Sequence, residues 1–172
     1  LFRSHGITRD TSLMTRNEGP WFYQQLDLGY NYRMTDIQCA LGCSQMKKLD
    51  YFLARRRTIV ACYNEAFANC RNIVTPYQMP DTNSGWHLYI IQVKNRDRKE
   101  VFEKLRERGI GVNVHYIPVY EHPYYQEHGY KGVHCPVAEE VYSHIISLPV
   151  FPRLTEEQQE EVIKVVKQVV EE

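Results

Sequence analysis

A chain of 172 residues, 43% hydrophobic and 24% charged, has the length and composition of one ordinary globular domain with room for a real core. Its 21 basic and 21 acidic residues cancel, which excludes the broad single-sign field that binding to nucleic acid or an anionic membrane surface would use. No apolar run approaches the roughly 20 residues that span a bilayer, and no charged-then-apolar leader opens the chain, so a cytoplasmic home is expected.

Residues 1–33 start abruptly on LFRSHG and hold few apolar side chains to bury. Ser12 to Gln25, with Gly19-Pro20, reads as a loop of the kind that carries function. Thr35 followed by Gln38 is a capping box, in which hydroxyl and amide satisfy orphan backbone donors at a helix start. Ile37, Ala40, Leu41, Ser44, Leu49, Phe52 and Leu53 then recur at helical spacing, and Ile59, Val60, Tyr63 and Phe67 continue it, which predicts one long or once-bent helix over 34–70. Arg55-Arg56-Arg57 within it reads as a solvated face or as partners for acidic residues, ahead of a phosphate site. Pro76, Pro80 and Asn83-Ser84-Gly85 mark a connector to a strand over Trp86–Val93. Arg98–Arg108 is an amphipathic helix with Val101, Phe102 and Leu105 inward, stopped by Gly109. A second strand is expected over Ile110–Tyr116, then a loop rich in tyrosine and histidine over Tyr120–Val133, a helix over Val137–Ile145 and an extended run over Ser147–Pro152. A second capping box, Thr155 with Gln158, opens a last helix carrying Val162, Ile163, Val166, Val169 and Val170 inward. The sum is an α+β layer behind one long helix. The five cysteines, at 39, 43, 62, 70 and 135, lie mostly in helical pattern without a close Cys-x-x-Cys spacing and read as reduced, small apolar residues.

His115, His122, His128 and His134 fall close together, but their spacing matches no zinc pattern and no cysteine pair accompanies them, so no metal is expected. Thirteen tyrosines stand out in the composition. The loop that gathers Tyr116, Tyr120, Tyr124, Tyr125 and Tyr130 reads equally as a wall for a polar, ring-shaped ligand and as aromatic packing against another subunit. His87 reads as structural. Tyr30-Asn31-Tyr32-Arg33 sits just ahead of a helix N-terminus, where anions are stabilised, although the residues alone favour a plain turn in which Asn31 bonds local backbone.

The runs LFRSHGI, LDLGYNYRMTDIQCALG, QMKKLDYFLARR, WHLYIIQV, GIGVNVHYIPVY, HPYY and LPVFPRLTEEQ together resemble the C-terminal half of the DegT/DnrJ/EryC1/StrS sugar-nucleotide aminotransferases, along essentially the whole chain. The runs LFRSHGITRD through GPWFYQQLDLGYNYRMTDIQ to GVNVHYIPV are most similar to the branch of pseudaminic acid biosynthesis, which aminates C4 of a UDP-linked 4-keto-6-deoxy-N-acetylhexosamine. The resemblance implies the aspartate-aminotransferase-like fold (fold type I, α/β overall), pyridoxal 5'-phosphate as cofactor, glutamate as amino donor, and a homodimer with active sites at the subunit interface. It implies a contact from Asn31 to the cofactor phosphate in the neighbouring subunit's site, and places His115, Tyr116 and Tyr120 in the region that reaches the sugar nucleotide or the partner chain. Gly6, Gly29 and Gly111 are expected to be backbone necessities.

In that family the lysine that forms the Schiff base lies upstream of LFRSHG. Lys47, Lys48, Lys94, Lys99, Lys104, Lys131, Lys164 and Lys167 all stand in polar patterns here, and none is a plausible substitute. The resemblance therefore implies a fragment, inactive alone: 1–33 a remnant of the large cofactor-binding domain, 34–70 a long linking helix or bent helix pair, 71–172 the small α+β domain. The alternative is a non-catalytic dimerisation or sugar-nucleotide-binding module.

Overall fold

The computed structural model describes all residues, 1–172, and divides them into two units, Leu1–Lys48 and Leu49–Glu172.

In the first unit the chain ends of a long loop are zipped together. β1 (Ile7–Thr8) pairs antiparallel with β2 (Gln24–Gln25). Beyond them His5 N donates to Tyr30 O at 2.8 Å, Tyr30 N to Phe2 O at 2.7 Å and Tyr32 N to Arg3 O at 2.9 Å. The two segments approach so closely that a Cβ on Gly6, whose φ is +70°, would lie 1.9 Å from the Asp27 carbonyl oxygen, and one on Gly29 would lie 2.2 Å from Gly6 N. These two glycines are required by the close approach. Gly111 is not: a Cβ there meets open space. α1 (Asp36–Met46) starts on the expected capping box, Gln38 N donating to Thr35 Oγ1 at 3.3 Å and Thr35 N to Gln38 Oε1 at 2.9 Å. It buries none of its residues, so Ile37 and Leu41, placed inward by their spacing, face solvent in this chain.

The second unit opens with α2 (Leu49–Phe67), so the helical pattern over 34–70 is two helices, interrupted at Lys47-Lys48. The C-terminal half of α2 buries Ile59, Val60, Tyr63 and Phe67. β3 (Ile73–Val74), β4 (Tyr89–Val93) and β5 (Ile145–Leu148) form an antiparallel sheet in that order, with Tyr89 opposite Leu148 and Ile73 opposite Val93. Alternation on β4 buries Tyr89, Ile91 and Val93, as a sheet with one covered face requires. α3 (Arg98–Glu107) is capped by the Asp97 carboxylate, which accepts from Glu100 N at 2.9 Å, buries Val101 and Leu105, and ends before Gly109 at φ +82°. After a 3-10 turn (Val119–Glu121) come the single-turn α4 (Pro123–Tyr125), a π-type turn (Gln126–Tyr130) and α5 (Pro136–His144). α6 (Glu156–Glu171) begins on the second capping box and buries Val162, Val165, Val166, Val169 and Val170. Ile163 is only partly buried, and Gln159 is buried instead, its Nε2 donating to Ile59 O at 2.8 Å. α2, α3, α6 and the sheet thus close one core, in which the Tyr63 and Tyr89 rings lie 4.9 Å apart.

Two strand expectations fail for local reasons. Trp86 adopts φ +46° and the strand begins only at Tyr89. Over Ile110–Tyr116 the ladder shrinks to one bridge, Asn113 with Ser147. There Val112 N turns back to Ile110 O at 2.9 Å and the Asn113 side chain takes Val114 N at 2.8 Å, the local competition with sheet pairing that asparagine offers. The cysteines also differ from expectation: all five are free, but only Cys70 is even partly buried. No helix is long and apolar enough to cross a membrane.

Candidate ligand-binding site

The candidate residues belong to both units, Asn31 to the first and His115, Tyr116 and Tyr120 to the second. Asn31 is held on its backbone by a bridge to Ser4. Its side chain is exposed, and its Oδ1 accepts from Arg33 Nε at 3.1 Å. That bond engages the acceptor end of the amide and leaves the donor end, Nδ2, out of it. Tyr30 and Tyr32 stack across Asn31 with ring centroids 4.9 Å apart and planes at 8°. The local turn expected from the residues is present in part, since Asn31 bonds the Arg33 side chain rather than backbone. An amide N–H, a guanidinium and the N-terminus of α1 following within five residues make a donor set suited to a phosphate.

In the second unit His115 is half-buried, and its Nδ1 lies 2.8 Å from Oγ of Ser147, a buried hydroxyl on β5. β5 therefore fixes the imidazole from below, while the Tyr116 ring, 67% exposed, stands edge-on to it at 4.6 Å. Tyr120 is half-buried and donates its hydroxyl to Glu139 Oε1 at 2.9 Å. The same carboxylate oxygen accepts from Cys135 N at 2.8 Å and lies 3.6 Å from His134 Nδ1. Burial first, then this hydrogen bond and the carboxylate's charge, push the Tyr120 phenol up to about 12. Glu139 is lowered, first by the Cys135 amide and then by the Tyr120 hydroxyl.

The remaining aromatics of the loop brace one another. Tyr125 meets Tyr124 and Tyr130 edge-on at 5.4 and 5.6 Å, and Tyr124 stacks on His128 at 4.2 Å, with His128 Nδ1 2.6 Å from Tyr124 O. Tyr116, Tyr124 and Tyr130 keep large exposed faces. Glu139 and Ser147 were not singled out from the sequence. A carboxylate four residues into a Pro-initiated helix is the one signal that pointed to Glu139, and Ser147 gave none.

Of the three arginines of α2, Arg57 is exposed, Arg55 and Arg56 are half-buried, and none pairs with an acid. Arg55 Nη2 donates to Leu154 O at 3.0 Å, Arg57 Nη2 to Asn83 Oδ1 at 2.8 Å, and Arg56 Nη1 lies within reach of Trp86 O at 2.9 Å, Val150 O at 2.9 Å and His87 O at 3.1 Å. Arg55 and Arg56 thus satisfy loop carbonyls that have no sheet partner, and Arg57 ties an asparagine side chain of the loop.

This fold has known counterparts. The chain belongs to the DegT/DnrJ/EryC1/StrS aminotransferase family, whose model matches residues 1–167. It is 38% identical over 130 residues to the UDP-4-amino-4,6-dideoxy-N-acetyl-beta-L-altrosamine transaminase of Campylobacter jejuni, a match covering 74% of this chain and 32% of that protein. Among solved structures, a putative sugar aminotransferase of Streptococcus pneumoniae in its PMP form superposes with a TM-score of 0.85 at 30% identity, over 99% of this chain and 43% of that one. Helicobacter pylori PseC, an aminotransferase involved in the biosynthesis of pseudoaminic acid, superposes with a TM-score of 0.84 at 28% identity, over 99% of this chain and 44% of that one. The chain spans less than half the length of the curated relatives it matches. The fold is the fold type I aminotransferase architecture expected from the sequence.

Proposed function

We propose that a protein carrying this chain transfers an amino group to C4 of a UDP-linked 4-keto-6-deoxy-N-acetylhexosamine, in nucleotide-sugar biosynthesis of the pseudaminic acid type, with glutamate as donor. The substrate class rests on the name of the Campylobacter relative, and pyridoxal phosphate on the PMP form of the Streptococcus one. The observation that carries the reading in this chain is the exposed Asn31 amide beside Arg33, immediately before α1. Those donors fit the cofactor's phosphate. Bound, the cofactor supplies an electron sink for the carbon that carries the amine.

The chain's own residues then have distinct tasks. Asn31 Nδ2 donates to the phosphate, in the active site of the neighbouring subunit of a homodimer, and Arg33 fixes the amide's orientation by engaging Oδ1. The stacked Tyr30 and Tyr32 rings fill the subunit interface around it. His115, oriented by Ser147, and the Tyr116 ring offer a hydrogen bond and an aromatic face to the sugar nucleotide. Tyr120, whose hydroxyl proton is committed to Glu139, offers its ring and one lone pair. None of the eight lysines is buried, the three least exposed being Lys94, Lys104 and Lys167. In this reading the cofactor-bearing lysine is not one of them.

The test uses the complete enzyme. Asn31→Ala removes one hydrogen bond to a charged group, worth about 1.5–3 kcal/mol, which is roughly a 10- to 150-fold loss of cofactor affinity. In a mixed dimer, one subunit carries Asn31→Ala and the other lacks the cofactor-bearing lysine. The site that keeps its lysine then receives an intact Asn31 from its neighbour and retains about half of wild-type activity, as a contact across a two-fold interface requires. A mixed dimer as impaired as the Asn31→Ala homodimer would mean that Asn31 acts within its own chain.

A further inference from the structure

Between Asn113 and Cys135 the chain makes an excursion of more than twenty residues in which no side chain is buried. Apolar packing does not hold this segment, yet it carries Tyr116 and Tyr120. Its order comes from polar ties. Near its start Tyr120 Oη donates to Glu139 Oε1 at 2.9 Å, and at its end Cys135 N donates to the same oxygen at 2.8 Å, with His134 Nδ1 at 3.6 Å. Gln126 Nε2 adds a bond to Tyr120 O from within the excursion. Glu139 stands on α5, which is itself tied down: Arg98 donates to Tyr142 O and stacks its guanidinium 4.7 Å above the Tyr142 ring. β5 holds the start of the excursion through Asn113 and His115 on Ser147, and one carboxylate oxygen gathers Tyr120 and the far end onto a fixed helix.

The geometry points to Glu139 as the residue that positions Tyr120, and with it the acceptor-sugar wall, in the aminotransfer reaction; this rests on the function proposed above. Glu139 reaches the substrate only through Tyr120. By accepting the phenolic hydrogen bond it sets the polarity of that wall. Tyr120 can accept from a ligand hydroxyl or stack beneath a ring, but it has no proton left to donate. The ligand class it favours is one rich in hydroxyl donors and flat rings, as a nucleoside diphosphate sugar is, and it disfavours an anion at that spot. The amino donor, a small dicarboxylate, does not need this wall.

The two half-reactions separate this role from a general structural one. In the complete enzyme, Glu139→Ala should raise the KM for the nucleotide sugar by about 10-fold or more, the scale of losing a hydrogen bond to a charged group. The rate with which glutamate converts the cofactor to its amine form, followed spectroscopically without any sugar, should stay within about two-fold of wild type, since each ten-fold change would need about 1.4 kcal/mol of lost interaction. Glu139→Gln keeps an acceptor oxygen of the same reach and should recover most of the loss. Tyr120→Phe combined with Glu139→Ala should be no worse than Glu139→Ala alone, because two residues acting as one unit are not additive. An unchanged sugar KM, an equal fall in the glutamate half-reaction, a Glu139→Gln variant as poor as Ala, or additive losses in the double variant would each overturn the assignment. A wild-type enzyme that turns over glutamate but is insensitive to Glu139 sinks this inference alone, whereas one inert with every amino donor sinks the aminotransferase reading and this inference with it.

Discussion

Tyr120 is a phenol on which two effects pull in the same direction: partial burial disfavours its anion, and the Glu139 hydrogen bond and charge disfavour it further. A folded-state value raised above the ordinary 10 means that the contribution of this group to stability is complete below that value and is lost as pH climbs toward about 12. Glu139 runs the other way. Its folded-state value is lowered, so its contribution is complete above the usual glutamate range and disappears as pH falls through the depressed value. Between those limits the clamp of Tyr120, Glu139 and the Cys135 amide is intact, with the His134 imidazole and the Cys135 thiol the remaining titratable groups facing it. An ultraviolet phenolate titration should therefore find three tyrosines ionising late, one of which Tyr120→Phe removes. Glu139→Gln should bring that step down only part of the way, because burial, the larger cause, is untouched. A titration curve in which Tyr120→Phe removes no late-ionising tyrosine would show that the clamp is not formed in solution. The buried Tyr63 and Tyr89 are raised as well, but their hydroxyls donate to Pro149 O and Asn64 Oδ1, so Glu139→Gln leaves them where they are.

At the level of elements, Arg56 illustrates what pattern reading reaches and where it stops. The period of Ile59, Val60, Tyr63 and Phe67 identified the buried face of α2, and the two Thr/Gln capping boxes placed the starts of α1 and α6 to the residue. These signals are local, carried by residues three or four apart. Arg56 spends its donors on carbonyls thirty and more than ninety residues away, and no spacing within α2 encodes that. For the same reason the sequence offered Tyr120 but not its partner Glu139 nineteen positions on, and His115 but not Ser147 beneath it. The Ile110–Tyr116 strand was overread because apolar alternation is silent about an asparagine that bonds its own backbone. Asn31 is proposed through family resemblance alone, since an exposed amide in a turn has nothing in its composition to distinguish it. The arginine lock makes its own prediction. Arg56→Met keeps the stem and removes the donors, leaving half-buried carbonyls short of partners, and should destabilise the Leu49–Glu172 unit by roughly 2–4 kcal/mol, with a lower urea midpoint at unchanged m. A loss under about 0.5 kcal/mol would mean that water replaces the guanidinium freely.

Over the whole molecule apolar burial is divided unequally. The Leu49–Glu172 unit closes a core of more than twenty buried residues around α6, whereas the Leu1–Lys48 unit buries only Gly6 and leaves Leu28 85% and Ile37 83% exposed. A helix with an apolar stripe in water gains nothing from that stripe, and exposed apolar patches of this kind drive association. Prepared as the 172-residue chain, the protein should therefore sediment as dimers or larger species and bind a hydrophobic dye. Its amide hydrogens should exchange quickly in Leu1–Lys48 and slowly through β4, β5 and α6, where local opening approaches global unfolding. Lysine chemistry should follow the same division. A Schiff-base lysine owes its reactivity to desolvation or to a neighbouring cation, and every lysine here is open to solvent in some part, so borohydride treatment with pyridoxal phosphate should spread substoichiometric labelling over several lysines and no transamination should accompany it. Stoichiometric cofactor on a single lysine with turnover of a keto-sugar nucleotide, from a preparation that is strictly monomeric and dye-silent, would show that the chain supplies a complete site by itself, and the view of Asn31 as a contribution to a neighbouring subunit would have to be given up.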